Sequence, residues 1–78
     1  MNDSPKPNVL DVRDIIAKGE EPFVAIRAKV DALEPGESLK IIAPFMPAPL
    51  IEMLKSEDYS AQIEHLPDGA WSVDFRHP

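Results

Sequence analysis

The chain predicts an α/β fold of the α+β kind, a two-layer sandwich in the order βαβαββ. Its mixed four-stranded sheet would carry two helices on one face. Three observations predict it. Pro67-Asp68-Gly69 separates two runs of alternating polarity, which is a hairpin signal. Phe23, Ile26, Val30 and Leu33 recur at i, i+3, i+7 and i+10 behind Pro22, which marks a helix with one apolar face. Ile41 and Ile42 stand side by side in the run Ser38 to Ala43, which fits a central strand partly buried on both faces.

Each element follows in turn. Residues 1–8 are polar with Pro5 and Pro7 among them, so they are read as a disordered tail, and one domain spans 9–77. Val9 to Val12 reads as a short strand, and residues 14–21 as a loop with room for one helical turn. Pro22 opens a helix, where its missing amide costs nothing, and Glu20 and Glu21 ahead of it suit the helix dipole. That helix should end near Leu33, because Pro35-Gly36 continues it poorly. Pro44 ends the next strand. Leu50 to Leu54 then forms a second, short helix with Leu50, Met53 and Leu54 on its inner face.

The last two strands, Tyr59 to Leu66 and Ala70 to Phe75, allow a register to be written. A three-residue loop pairs Leu66 with Ala70, hence His65 with Trp71, Ile63 with Val73 and Ala61 with Phe75. Gln62, Glu64, Ser72, Asp74 and Arg76 fall on the other face, which is polar and should meet solvent.

Composition excludes several classes of function. At 78 residues the chain is one domain at most, and it would bury only about 60% of its unfolded surface. It has no cysteine, so disulfides and thiolate metal sites are excluded, and self-association to a homodimer is one remaining way to add stability. The net charge of −6 and the scattered basic residues argue against nucleic acid as a partner. No apolar run approaches the roughly 20 residues needed to span a bilayer, so no membrane role is expected. Residues 1–7 hold no apolar signal core, and the expected location is cytoplasmic.

Four segments carry a resemblance: Leu10-Asp11-Val12-Arg13, Glu21-Pro22, Leu33-Glu34-Pro35-Gly36-Glu37 and Leu39-Lys40-Ile41-Ile42-Ala43. Together they resemble the small sulfur carriers of the TusA/SirA type. In that family a Leu-Asp strand leads to a Cys-Pro-x-Pro motif that opens a helix. Aligned back from Pro22, the carrier's cysteine falls on Gly19. Sulfur relay needs a thiolate, so this chain cannot perform it. The nearer resemblance is to cysteine-free SirA-like domains of unknown function, often fused to hemerythrin-like domains in bacteria. It covers residues 9–76. It needs no gap over 22–43, and the chain is two residues longer between Arg13 and the Glu-Pro pair. The resemblance implies the same sandwich. Through the usual fusions it also implies a redox or nitrogen-oxide related protein partner.

The candidate residues are each weighed against a plain structural role. Glu21 and Pro22 either dock a partner at the helix start or simply cap it. Asp11 and Arg13 either belong to a site or form a local salt bridge. His65 and His77 lack ligand spacing, and His65 is expected to pack on Trp71. Phe45, Met46 and Pro47 lie in a proline-stiffened loop, either as an exposed contact or folded down as core. No serine has a base motif and no glycines form a phosphate loop, so no catalytic residue, metal or cofactor is expected. The leading expectation is a non-enzymatic protein-interaction or regulatory module. Its patch would comprise Asp11, Arg13, Glu21, Pro22, Phe45, Met46 and Pro47. The alternatives are small-molecule or cofactor binding at the same sheet end, or an accessory part in sulfur transfer.

Overall fold

The computed structural model describes residues 8–78. The order is β1 (Asn8–Asp11), α1 (Arg13–Ala17), α2 (Pro22–Asp31), β2 (Ser38–Ala43), α3 (Ala48–Ser56), β3 (Ser60–His65) and β4 (Trp71–Arg76). The sheet order is β1-β2-β4-β3, with β1 parallel to β2 and the other pairs antiparallel. This is the mixed four-stranded sheet expected. The tail expected over residues 1–8 lies outside the described residues except for Asn8, which pairs with Leu39 as the first residue of β1.

The core follows the period-two rule. Leu39, Ile41 and Ala43 of β2 and Val73 and Phe75 of β4 are buried on one face. Ile26 and Val30 of α2 and Leu50, Ile51 and Leu54 of α3 cover that face. Burying a side chain of the size of Phe75 contributes about 1.5–3 kcal/mol. On the opposite face Lys40 and Ile42 are half-buried, as the adjacent Ile41-Ile42 pair implied. Ser72, expected to be solvated there, is buried between Ile42 and Glu64, its cross-strand neighbours.

The hairpin has the expected register throughout, with Ala61, Ile63 and His65 opposite Phe75, Val73 and Trp71. The Leu66 amide donates to the Ala70 carbonyl at 2.8 Å, and the Asp68 carboxylate accepts from the Ala70 amide at 3.0 Å. Gly69 takes φ +90°, the left-handed value that this bulged turn requires.

Other details depart from expectation. The loop after β1 winds into a third helix, the five-residue α1. Phe23 is not core. It stands in the first turn of α2 and is 48% exposed. On α3 the inner face is Leu50, Ile51 and Leu54, while Met53 is 39% exposed. Apolar residues at 50, 51, 53 and 54 permit two helix rotations, and the sheet below α3 selects the one that buries Ile51.

Candidate functional site

β1 and β2 are parallel, so α2 and α3, which follow them, both start at the sheet end where those strands finish. The candidate residues gather at this end for that reason. Glu21 is the N-cap of α2, and its carboxylate accepts from the Phe23 amide at 2.8 Å. Pro22 begins the helix. The plain capping role of Glu21-Pro22 is therefore real, and it leaves both residues partly or fully open to solvent.

The position that the carrier resemblance gives to cysteine has its own structural task. Gly19 has φ +76°, which L side chains rarely adopt. Its amide donates to Ile16 O at 2.9 Å, and the Glu20 amide donates to Ile15 O at 3.0 Å. That pair of bonds is a Schellman cap closing α1. Glycine here terminates a helix, a role in which cysteine would be strained.

Asp11 and Arg13 form a fork. The Arg13 guanidinium donates to both Asp11 oxygens at 2.7–3.1 Å, and the Arg13 amide donates to Asp11 Oδ1 at 3.0 Å. Arg13 Nη1 also reaches Asp68 Oδ2, in the hairpin turn, at 3.1 Å. The cluster ties the end of β1 to the β3–β4 turn across the width of the sheet. The Arg13 side-chain bond holds the Asp11 carboxyl below its usual range. Asp68 is lowered first by the Ala70 amide and then by Arg13. Arg13 itself is raised, chiefly by Asp11. With all its carboxylate partners present, this arginine is a structural clamp rather than a free anion site.

The loop between β2 and α3 turns its apolar side chains outward. Phe45 is 52% and Met46 45% exposed. Pro47, named with them from the sequence, is instead buried, and its carbonyl accepts from the Ile51 amide at 3.0 Å to start α3. It stiffens the loop without offering a contact.

Sequence reasoning missed a second apolar feature. A groove of about 350 Å³ runs between α2 and α3. Buried Ile26, Leu50 and Leu54 form its floor, and exposed Phe23, Val24 and Met53 its rim. Val24 is 73% exposed. The signal available was its place outside the apolar series Phe23, Ile26, Val30 and Leu33, which sets its side chain off the inner face. Arg27 crosses from α2 to Glu57 at the end of α3 with two bonds of 2.9 Å, and also pairs with Asp31. This holds the helices together and lowers the Glu57 carboxyl.

Both histidines pack against aromatic rings. The His65 ring stacks on Trp71 with centroids 4.2 Å apart, and His77 meets Tyr59 edge-on at 5.3 Å. No group of three or more His, Cys, Asp or Glu among the described residues could hold a metal ion. No described helix is long and apolar enough to cross a membrane.

Residues 9–77 match the family described as uncharacterized conserved protein (DUF2249), and the chain belongs to that family. No curated protein and no solved structure matches the chain.

Proposed function

We propose that this member of the family is a non-enzymatic, cytoplasmic protein-interaction module that binds a partner at the sheet end where α2 and α3 begin. One observation carries the reading. Phe23, Val24, Phe45 and Met46 are 45–73% exposed on the two segments that the topology brings to this end. Exposed apolar residues scattered singly need no explanation, whereas a cluster at one end does. Phe and Met are enriched in interface cores, and a proline-stiffened loop loses little entropy on binding. The resemblance to TusA/SirA carriers supports the same location. In those carriers this helix start presents the thiol to partner proteins, and here it would present Glu21 to Val24. A redox or nitrogen-oxide related partner is the class that the resemblance implies.

The test has two stages. A photo-crosslinking residue at position 45 captures the partner in native cells. The purified partner is then titrated against wild type and Phe45→Ser/Met46→Ser. At least tenfold weaker binding by the double variant is expected. Equal affinity, or no capture from position 45, overturns the reading. A second reading is favoured by the α2–α3 groove, whose volume suits a small apolar ligand. Such a ligand would raise the melting temperature of wild type and Phe45→Ser alike, but not of Met53→Glu.

A further inference from the structure

The outer edge of β3 is built for pairing. In an antiparallel ladder, residues alternate between those that bond the neighbouring strand and those that point away from it. The Leu66–Ala70 bond fixes this phase. Glu64, Gln62 and Ser60 therefore bond β4, while the amides and carbonyls of Ala61, Ile63 and His65 point outward. Natural edge strands are usually blunted by charged side chains, lysine above all, or by proline, a bulge or a cover. β3, Ser-Ala-Gln-Ile-Glu-His, has no lysine or proline, and its register runs unbroken over all six residues. Every residue but Ala61 is exposed. Ile63 lies on the face the helices cover elsewhere, yet α3 leaves it 47% exposed.

We infer that the occupant of this edge is a second copy of the chain, paired β3 to β3 in antiparallel fashion about a twofold axis at Ile63. The argument is complementarity in a single register. With Ile63 opposite its own copy, Ala61 faces His65 of the other chain and Gln62 faces Glu64. Each outward amide and carbonyl of Ala61, Ile63 and His65 then finds a partner, so no free group remains between the strands. The two Ile63 side chains meet on the helix-bearing face. On the open face the Gln62 amide can donate to the Glu64 carboxylate of the other chain. Glu64 is the one acidic residue in the strand, and this register sets no like charges opposite each other. Pro67 limits the pairing to the strand itself. The product is a continuous eight-stranded sheet with an isologous interface. The net charge of −6 on each copy opposes association at low salt, so the dimer should strengthen as salt is added.

The test exploits the absence of native cysteine. Ile63→Cys places two thiols on residues about 5.5 Å apart between Cα atoms, within disulfide reach. Ser60→Cys places them about 20 Å apart in this register, beyond reach. Mild oxidation should convert Ile63→Cys to a covalent dimer and leave Ser60→Cys monomeric. In sedimentation equilibrium at 0.15 M salt, the wild-type mass should rise with concentration toward twice 8.7 kDa. Ile63→Lys, which sets two ammonium groups at the axis, should raise the dissociation constant at least tenfold with an unchanged far-UV spectrum. A wild type that stays monomeric at millimolar concentration overturns the inference. So does a dimer that persists in Ile63→Lys, or one that cross-links through Val24→Cys on the helix face and not through Ile63→Cys. Should Ile63→Lys fail to fold, the contrast between the two cysteine variants still decides.

Discussion

Ile51 and Met53 lie two positions apart on α3, and only one of them can face the sheet. Ile51 is 5% exposed and Met53 39%. Truncating Ile51 to alanine removes three carbons from the core at about 0.8 kcal/mol each. The cavity left between α3 and the sheet adds to that loss, so Ile51→Ala should cost about 2.5–4 kcal/mol. Met53 keeps roughly three-fifths of its burial, beside a groove already open to solvent. Scaling the full burial of such a side chain by that fraction gives about 0.9–1.8 kcal/mol for Met53→Ala, with no closed cavity to add. A chain of this length holds only about 4–12 kcal/mol in total, so the first change consumes a large share of it. At about 4–8 °C per kcal/mol, Ile51→Ala should lower the melting temperature by at least ~10 °C, well beyond Met53→Ala. Urea unfolding at 25 °C, followed through Trp71, the single tryptophan, measures both. The slopes of the two variants should match that of wild type. If Met53→Ala costs as much as Ile51→Ala, the rotation of α3 described above is wrong, and with it the α2–α3 groove.

Two backbone changes should act with opposite sign. Gly69→Ala forces an L side chain into φ +90° with no heavy atom near its Cβ, so strain alone should cost about 1–2 kcal/mol, read by urea titration. Asp58 holds φ +70° at the Schellman cap of α3, and Asp58→Gly should stabilise by about 0.5–1 kcal/mol in the same assay. Acid should destabilise the fold through Asp11, Glu57 and Asp68, all of which lie below their ordinary values in the folded state. The stability they add is complete above the unfolded carboxylate range and is lost as pH falls through the depressed values. Urea midpoints measured at pH 7 and below about pH 4 should therefore drop less for Asp11→Asn than for wild type.

The parts legible in the sequence were those set by near neighbours. Pro67-Asp68-Gly69 fixes a turn geometry, and the turn fixes every pair of the hairpin from Ala61–Phe75 to His65–Trp71. Pro22 and Glu21 announce the start of α2, because cap and first turn are local chemistry. The short α1 was harder, since its cap depends on Gly19 adopting a left-handed turn that several loop conformations could replace. The rotation of α3 was not legible, because Leu50, Ile51, Met53 and Leu54 are all apolar and only the sheet discriminates among them. At the candidate site, the Asp11–Arg13 pair follows from spacing, while Asp68 joins it from 55 residues away and needs the topology. Whether Phe45 and Met46 fold down or out was open in the sequence. Buried Pro47 fixes the end of the loop, because its carbonyl starts α3 by accepting from the Ile51 amide.

The sheet order β1-β2-β4-β3 puts the last strand made into an interior position. β4 bonds β2 on one side and β3 on the other, and it supplies Val73 and Phe75, both fully buried. During synthesis the two leading helices and β1–β2 emerge first with half of their apolar floor missing. β3 follows with no strand to pair with, since β4 is its one neighbour in the sheet. Translation at about 5–20 residues per second leaves that state exposed until residue 76 clears the ribosome. The domain is therefore completed in one late step. A ribosome that stalls or terminates before Trp71 would release a sticky fragment for chaperones and proteases, with no smaller folded unit to fall back on.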